Sequence, residues 1–210
     1  MKHVVQPLQT IVLATRNPGK VAELAAMLEE LPVQLISAAD VHNAPHVEED
    51  ADSLRGNAEK KARELFEHTG LPSLADDTGL EVDALAGAPG IHSARYAGSK
   101  SDDKANRAKL LAALEGREDR SARFRTSLAF VDIAGTHFFD GVCEGVITNE
   151  ERGGAGFGYD AVFQPDDAAG STFAEMDKAQ KNLISHRGRA LAQFVRFLEG
   201  RLPKTEAVDP

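Results

Sequence analysis

The sequence predicts an α/β fold built on a mixed sheet. Three observations carry this: an apolar run that passes through a turn into a helical pattern, two long β-type runs joined by a short turn, and no repeat or low-complexity linker between the halves. The halves are expected to share one continuous sheet, with ligand-binding loops gathered in a cleft beyond strand ends.

Residues 10–15 form the first predicted strand. Asn17 follows as N-cap and Pro18 as first helical residue, with Val21, Leu24, Ala25, Leu28 and Leu31 at helical spacing. VQLISA predicts a second strand. After the acidic loop VEEDADS, Ser53 caps a predicted helix that stops at Gly70 and carries Asn57 and Lys61 on one face. LPSLADDTGLEVDAL predicts a buried strand ending at Asp76 and Asp77, a turn at Thr78 and Gly79, then a strand alternating Leu80, Val82 and Ala84 against Glu81 and Asp83. GAPGIHSARYAG reads as loop and DDKANRAKLLAALEG as helix. ARFRTSLAFVDI and THFFDGVCEGVIT predict an antiparallel pair joined around Ala134 and Gly135. RGGAGFGYDAVF is a glycine-rich loop entering a short strand. The remainder is helical, Ser185 capping a final helix with Leu191, Phe194, Val195 and Leu198, and the tail from Pro203 is expected to fray.

Composition excludes several function classes. Over 210 residues the hydrophobic share of 42% and charged share of 27% are those of a soluble globular protein. A net charge of −9 argues against duplex nucleic acid as a partner. The single cysteine, Cys143, excludes an intrachain disulfide and a multi-cysteine zinc site, and fits a reducing cytoplasm. No apolar run approaches membrane-spanning length, and the opening is cut by Gln6, Pro7 and Gln9 where a secretory signal stays apolar.

Four stretches can carry chemistry. The turn from Thr15 to Lys20 opens a helix whose N–H groups, with a hydroxyl, an amide, a close-approaching glycine and an ammonium, suit phosphate oxygens; it equally suits an Asn-capped helix start with a solvated lysine. It is not a Walker A loop, since Ala14 and Val21 stand where that motif needs Gly and Ser/Thr. Asp76 and Asp77, with Glu48, Glu49 and Asp50, offer the hard oxygens Mg²⁺ takes, or are solvated turns. Acids and lysines serve one ligand together only around a metal-polyphosphate, because bare carboxylates repel phosphate. GGAGFGYD sets Phe157 and Tyr159 among glycines with Asp160 beside them, which admits a flat base or makes a tight loop with packed aromatics. Ser185, His186 and Arg187 are a helix cap with exposed polar neighbours, or donors aimed at ligand oxygens.

Taken in order, TRNPGK, EEDADSLRGNAEKKA, LADDTGLEVDALAGAPGIHSARYAG, GGAGFGYDAVF and KNLISHRGRAL resemble the inosine triphosphate pyrophosphatase family over nearly the whole chain. The resemblance implies an elongated mixed β-sheet flanked by helices, one domain over residues 1–202 with two lobes and a central substrate cleft, and a flexible tail at 203–210. It implies a homodimer that uses Mg²⁺ to hydrolyse non-canonical purine nucleotides (ITP, dITP, XTP) to monophosphate and pyrophosphate; charge, cysteine count and hydropathy add the expectation of a cytoplasmic protein with no nucleic-acid or membrane partner.

Residue by residue, Thr15, Asn17 and Lys20, with Arg16, Pro18 and Gly19 between them, match the family's triphosphate turn, and Lys61 the helix lysine that reaches the same group. Asp77 matches the acid that binds Mg²⁺ and orients or deprotonates water. Glu49 matches the second metal carboxylate, with Glu48 its neighbour, and Asp76 and Thr78 flank Asp77. Phe157, Gly158, Tyr159 and Asp160 match the base loop, Lys181 a further substrate lysine, and His186 with Arg187 the pair that reads the keto group. The chain departs from the family pattern at Gly56, usually Glu, and Ala161, usually Pro. Gly56 is expected to weaken its helix by roughly 1 kcal/mol relative to Ala.

Overall fold

The computed structural model describes residues 9–98 and 101–201. The expectations for the opening residues and for the tail from Pro203 lie outside the described residues. In chain order the elements are β1 (Gln9–Leu13), α1 (Pro18–Leu28), β2 (Val33–Ser37), α2 (Leu54–Thr69), β3 (Ser73–Val82), β4 (Pro89–Gly90), α3 (Asp103–Ala113), β5 (Ser121–Asp132), β6 (Gly135–Ile147), β7 (Phe163–Pro165), α4 (Lys178–Ile184) and α5 (His186–Glu199). The described strands form one mixed sheet in the order β2-β1-β3-β5-β6-β7, with β4 added to β3. β1 pairs in parallel with β2 and β3, and all other pairings are antiparallel.

Local chemistry fixes the helix ends. Ser53 accepts the Gly56 N–H, and α2 terminates at Gly70 with φ 69°, a conformation glycine adopts without strain. Ser185 breaks the terminal helical region in two: its extended backbone ends α4, and its hydroxyl accepts the Gly188 N–H to start α5. The corner is tight, since a Cβ on Gly188 would lie 1.8 Å from the Asn182 carbonyl oxygen.

The predicted turn at Thr78 and Gly79 does not form. β3 runs unbroken for ten residues and pairs with β5 from Ser73 opposite Val131 to Val82 opposite Ala122. Turn-type residues stay in the strand because each is supplied with partners: Asp76 and Asp77 with buried cations, Gly79 with the close approach of the Gly90 carbonyl. The alternation also stops at Val82, and Ala84 lies in a short 3₁₀ turn. Asp76 and Asp77 are therefore mid-strand. The strand that ends beside them is β1, which pairs with β3 only through Val12 and Leu13. Beyond Leu13 the chain leaves the sheet, β3 continues without it, and a cleft opens at that step.

Two apolar clusters lie along the sheet. One gathers Ile11, Leu13, Leu24, Leu28, Leu74, Phe130, Phe194 and Leu198 under α1 and α5. The other gathers Leu80, Leu110, Phe124, Tyr159, Phe163 and Phe173 beneath α3 and the glycine-rich loop. Each fully buried Leu or Phe contributes about 1.5–3 kcal/mol. On the face opposite α5, Ala58 and Ala62 of α2 meet Ala75, Ala129 and Val131. Small side chains at that contact bring α2 close enough for Asn57 and Lys61 to touch β3. No helix among the described residues is long and apolar enough to cross a membrane.

Candidate active site

The turn after β1 is first a helix cap. Asn17 Oδ1 accepts the N–H groups of Gly19 (2.9 Å) and Lys20 (3.2 Å), and Thr15 Oγ1 accepts the Asn17 N–H. The Gly19 and Lys20 amides are thus occupied, and the capacity left for an anion is side-chain: the Lys20 ammonium, the Thr15 hydroxyl proton and the Asn17 amide protons. Exposed Arg16 donates to the Ala44 and Pro45 carbonyls, tying the turn to the next loop, and exposed Pro18 occupies the first helical position.

Strand alternation sends Asp76 and Asp77 to opposite faces. Asp76 meets Lys20 at 2.9 Å and Arg187 at 3.1 Å, and these cations, with Lys61, outweigh burial and hold its carboxyl far below the usual range. Asp77 faces α2, accepting from Asn57 Nδ2 (3.2 Å) and Lys61 (3.0 Å). Burial, with the nearby charge of Glu49, outweighs Lys61 and raises the Asp77 carboxyl above its ordinary value. Lys61 Nζ also meets Glu49 Oε1 at 2.7 Å and the Asp76 carbonyl at 2.7 Å. Burial alone would depress Lys61, but these carboxylates raise it. Lys20 shifts the other way, because its burial exceeds what Asp76 returns.

At the other end, Lys181 pairs with Glu23 (2.7 Å) and Asp160 (2.8 Å), and Arg187 with Glu23 and Asp76. A line of alternating charge therefore runs Lys20, Asp76, Arg187, Glu23, Lys181, Asp160. Asp160 also accepts the Phe157 N–H at 2.9 Å, and burial raises its carboxyl. His186 stacks on Phe124 with ring centroids 4.4 Å apart, and its Nδ1 is buried with no partner among the described residues. Burial, reinforced by Arg187 and Lys181, holds His186 well below 6.5, so the imidazole is neutral. The Tyr159 hydroxyl donates to the Ser93 carbonyl at 2.8 Å, which fixes it in the wall. Phe157 lies against Gly19, where a Cβ would come within 2.7 Å of its ring, and Lys181 stands 5.1 Å from its centroid.

Two adjoining cavities result. One of about 290 Å³ is lined by Thr15, Arg16, Asn17, Lys20, Glu49 and Lys61. The other, about 140 Å³, shares Asn17, Lys20 and Glu49 and adds Asp77, Thr78, the 157–160 loop, Lys181, His186 and Arg187. The anticipated residues are thus brought together, except that Pro18 and Gly19 line neither cavity and Glu48 stands apart. Glu48 is exposed and lines an outer depression with His46, Asp50 and Arg95, while Glu49 alone of the pair reaches the main cleft.

Sequence reasoning missed Glu23, Phe124, Asp103 and Arg95. Glu23 carried a signal, three residues after Lys20 on the same helix face. Arg95 gave none, since only the folded loop brings it within 3.3 Å of Glu49.

Residues 11–197 match the Ham1 family. The dITP/XTP pyrophosphatase of Desulforamulus reducens is 49% identical over 191 residues, 90% of this chain and 94% of that protein. The dITP/XTP pyrophosphatase of Geobacter sulfurreducens is 49% identical over 87% of this chain and 92% of its own. A HAM1 protein from Coxiella burnetii superimposes with a TM-score of 0.84 at 40% identity, covering 92% of this chain and all of the other. The chain belongs to the Ham1 family.

Proposed function

We propose that this protein is a nucleoside triphosphate pyrophosphohydrolase that converts ITP, dITP and XTP to their monophosphates and pyrophosphate. One observation carries the reading: Lys20, Lys61, Glu49 and Asp77 converge beside an aromatic-lined cavity holding a neutral His186. The names of the relatives support the substrate class.

The residues fit a divalent cation. Glu49 Oε1 and Asp77 Oδ1, from separate segments, already converge on one positive charge, Lys61 Nζ. Among the described residues no group of three His, Cys, Asp or Glu side chains gathers, so two carboxylates are what the protein would offer, a set that suits Mg²⁺, which usually keeps several waters. Glu49 and Asp77 would hold it, and when bound it neutralises polyphosphate charge and acidifies water.

The chain's own residues do the rest. Lys20, Lys61, Thr15 and Asn17 grip the phosphates. Asp77 takes the proton of the attacking water as its oxygen adds to the α-phosphorus, and the bond from that phosphorus to the α–β bridging oxygen breaks. Its electron pair leaves with pyrophosphate, whose growing charge the lysines stabilise. In the smaller cavity His186 Nδ1, without a partner among the described residues and carrying its proton there, and the neighbouring Arg187 favour a purine with an acceptor oxygen at position 6, with Phe157 and Phe124 as apolar walls. An adenine amino group presents a donor there and leaves buried groups unpaired, a mismatch that costs roughly 10⁴ in preference at sites of this kind. A cytoplasmic homodimer, free of nucleic-acid and membrane partners, completes the reading, and light scattering of the purified protein checks the dimer.

The deciding assay is ITP with Mg²⁺, following the first product. Pyrophosphate is expected. Orthophosphate would refute attack at the α-phosphorus, binding without turnover would make the protein a nucleotide sensor, and faster turnover of altered pyrimidine triphosphates would displace the purine assignment.

A further inference from the structure

Gly158 sits in the middle of the base loop, and both of its peptide groups are claimed by another element. Its N–H donates to Asp103 Oδ2 at 2.7 Å, and its carbonyl accepts from Arg107 Nη1 at 2.8 Å. Asp103 and Arg107 are four residues apart on α3 and therefore project from one face. Arg107 Nη2 also meets Glu151 at 3.0 Å, so α3 grips the loop at its start and at its centre. Gly158 has φ 61°, the left-handed conformation in which the chain reverses. Fixing donor and acceptor of that one residue fixes the plane of the turn.

What hangs on the turn is the cavity wall. Phe157 precedes Gly158 and lies against Gly19, while Tyr159 follows it and is anchored to Ser93. Asp103 itself lines the smaller cavity. The opposite wall, Lys181, His186 and Arg187, is delivered by α4 and α5, and Lys181 tethers the loop at Asp160, which also accepts the Phe157 N–H. The loop is therefore held at two points, by Lys181 at Asp160 and at Gly158 by α3, an element with no side chain in the polyphosphate cavity, and the second hold sets how far the turn carrying Phe157 can swing.

We infer that Asp103 and Arg107 are positioning residues for base preference: they clamp the Gly158 peptide and thereby hold Phe157 at a fixed distance from His186 and Arg187. The inference rests on reading the smaller cavity as the purine site. Hydrogen bonds to ionised side chains are the strong kind, and displacement of a binding group by an ångström is enough to be felt in kinetics.

The test compares steady-state hydrolysis of ITP and ATP by wild type, Asp103→Ala, Asp103→Asn, Arg107→Met and Arg107→Lys, with Tm measured for each. Losing one charged clamp in Asp103→Ala or Arg107→Met is expected to raise KM for ITP about tenfold and lower the ITP-to-ATP ratio of kcat/KM about tenfold, with kcat within about threefold. Asp103→Asn keeps an acceptor oxygen for Gly158 and is expected to restore most of the preference, as Arg107→Lys restores part. Where the truncated variants do not fold, the two conservative variants carry the test through the same ratio and through the Gly158 amide shift by NMR. An active wild type whose variants keep both KM and the ITP-to-ATP ratio would overturn the clamp. A wild type that does not hydrolyse ITP would instead overturn the nucleotide reading, which keeps the two failures apart.

Discussion

Asp76 and Asp77 are chain neighbours, yet they face opposite sides of the sheet and answer to different partners. Asp77 meets Lys61, which lines the larger cavity, and burial raises its carboxyl, as the proposed role of base requires. Asp77→Asn is expected to lower kcat for ITP by about 10³ while nucleotide affinity stays within a few fold, a split read by single-turnover and binding measurements. Asp76 is structural in the electrostatic sense: it balances Lys20 and Arg187 where both are buried. Asp76→Asn strands those cations and is expected to cost about 3–5 kcal/mol, measured by urea unfolding at constant m. Because its folded value lies below its unfolded value near 3.8, that contribution is complete above the unfolded carboxylate range and fades as the solution is acidified through it. His186 also works against acid. Neutral when folded and protonated below about 6.5 when unfolded, it lowers stability as pH falls from 7 to 5, with a slope of up to about 1.4 kcal/mol per pH unit. His186→Gln is expected to flatten that slope in the same urea series; an unchanged slope would mean the ring is not held neutral.

Among elements, α2 and the α4–α5 corner place most of the chemistry. The spacing of Asn57 and Lys61 and the caps at Ser53 and Ser185 were readable because helix signals are local: a capping hydroxyl, a terminal glycine, a repeat of 3.6. The β5–β6 pair was readable from alternation and a short turn. β3 was misread for a physical reason. Asp-Asp-Thr-Gly is turn chemistry in isolation, and only long-range pairing with β5, plus cations from α1, α2 and α5, keeps it extended. Gly56 illustrates the same limit. Propensity favours Ala there, but a Cβ would fall 2.9 Å from the Ala51 Cβ, so the acidic loop resists the exchange. At the corner, Gly188→Ala is expected to destabilise by about 1–3 kcal/mol, seen in the urea midpoint, since a Cβ cannot fit beside the Asn182 carbonyl. Because the same corner aims His186 and Arg187, KM for ITP should rise with it.

At the scale of the molecule, a chain of net charge −9 concentrates Lys20, Lys61, Lys181 and Arg187 along two adjoining cavities. Motif order along the chain pointed to segments that the fold brings together at one cleft. It could not reveal that Glu23 bridges Lys181 and Arg187, that Arg95 meets Glu49 or that Asp103 lines the smaller cavity, since those depend on segments meeting across the fold. Binding should stabilise the whole protein, because the cleft exists only when its segments are assembled. With Asp77→Asn to prevent turnover, ITP and Mg²⁺ at a hundredfold over Kd are expected to add about 2.7 kcal/mol of stability, seen as a rise in Tm that shrinks when the metal is chelated. The line of charges from Lys20 to Asp160 has one more consequence, for how such a cleft can change over generations. Each interior link is held on both sides, so exchanging a single member for a neutral residue leaves an odd charge sealed from water. Drift in substrate range along this route is therefore expected to favour paired exchange, an acid and its base lost or gained together, over solitary replacements whose instability precedes any change in selectivity.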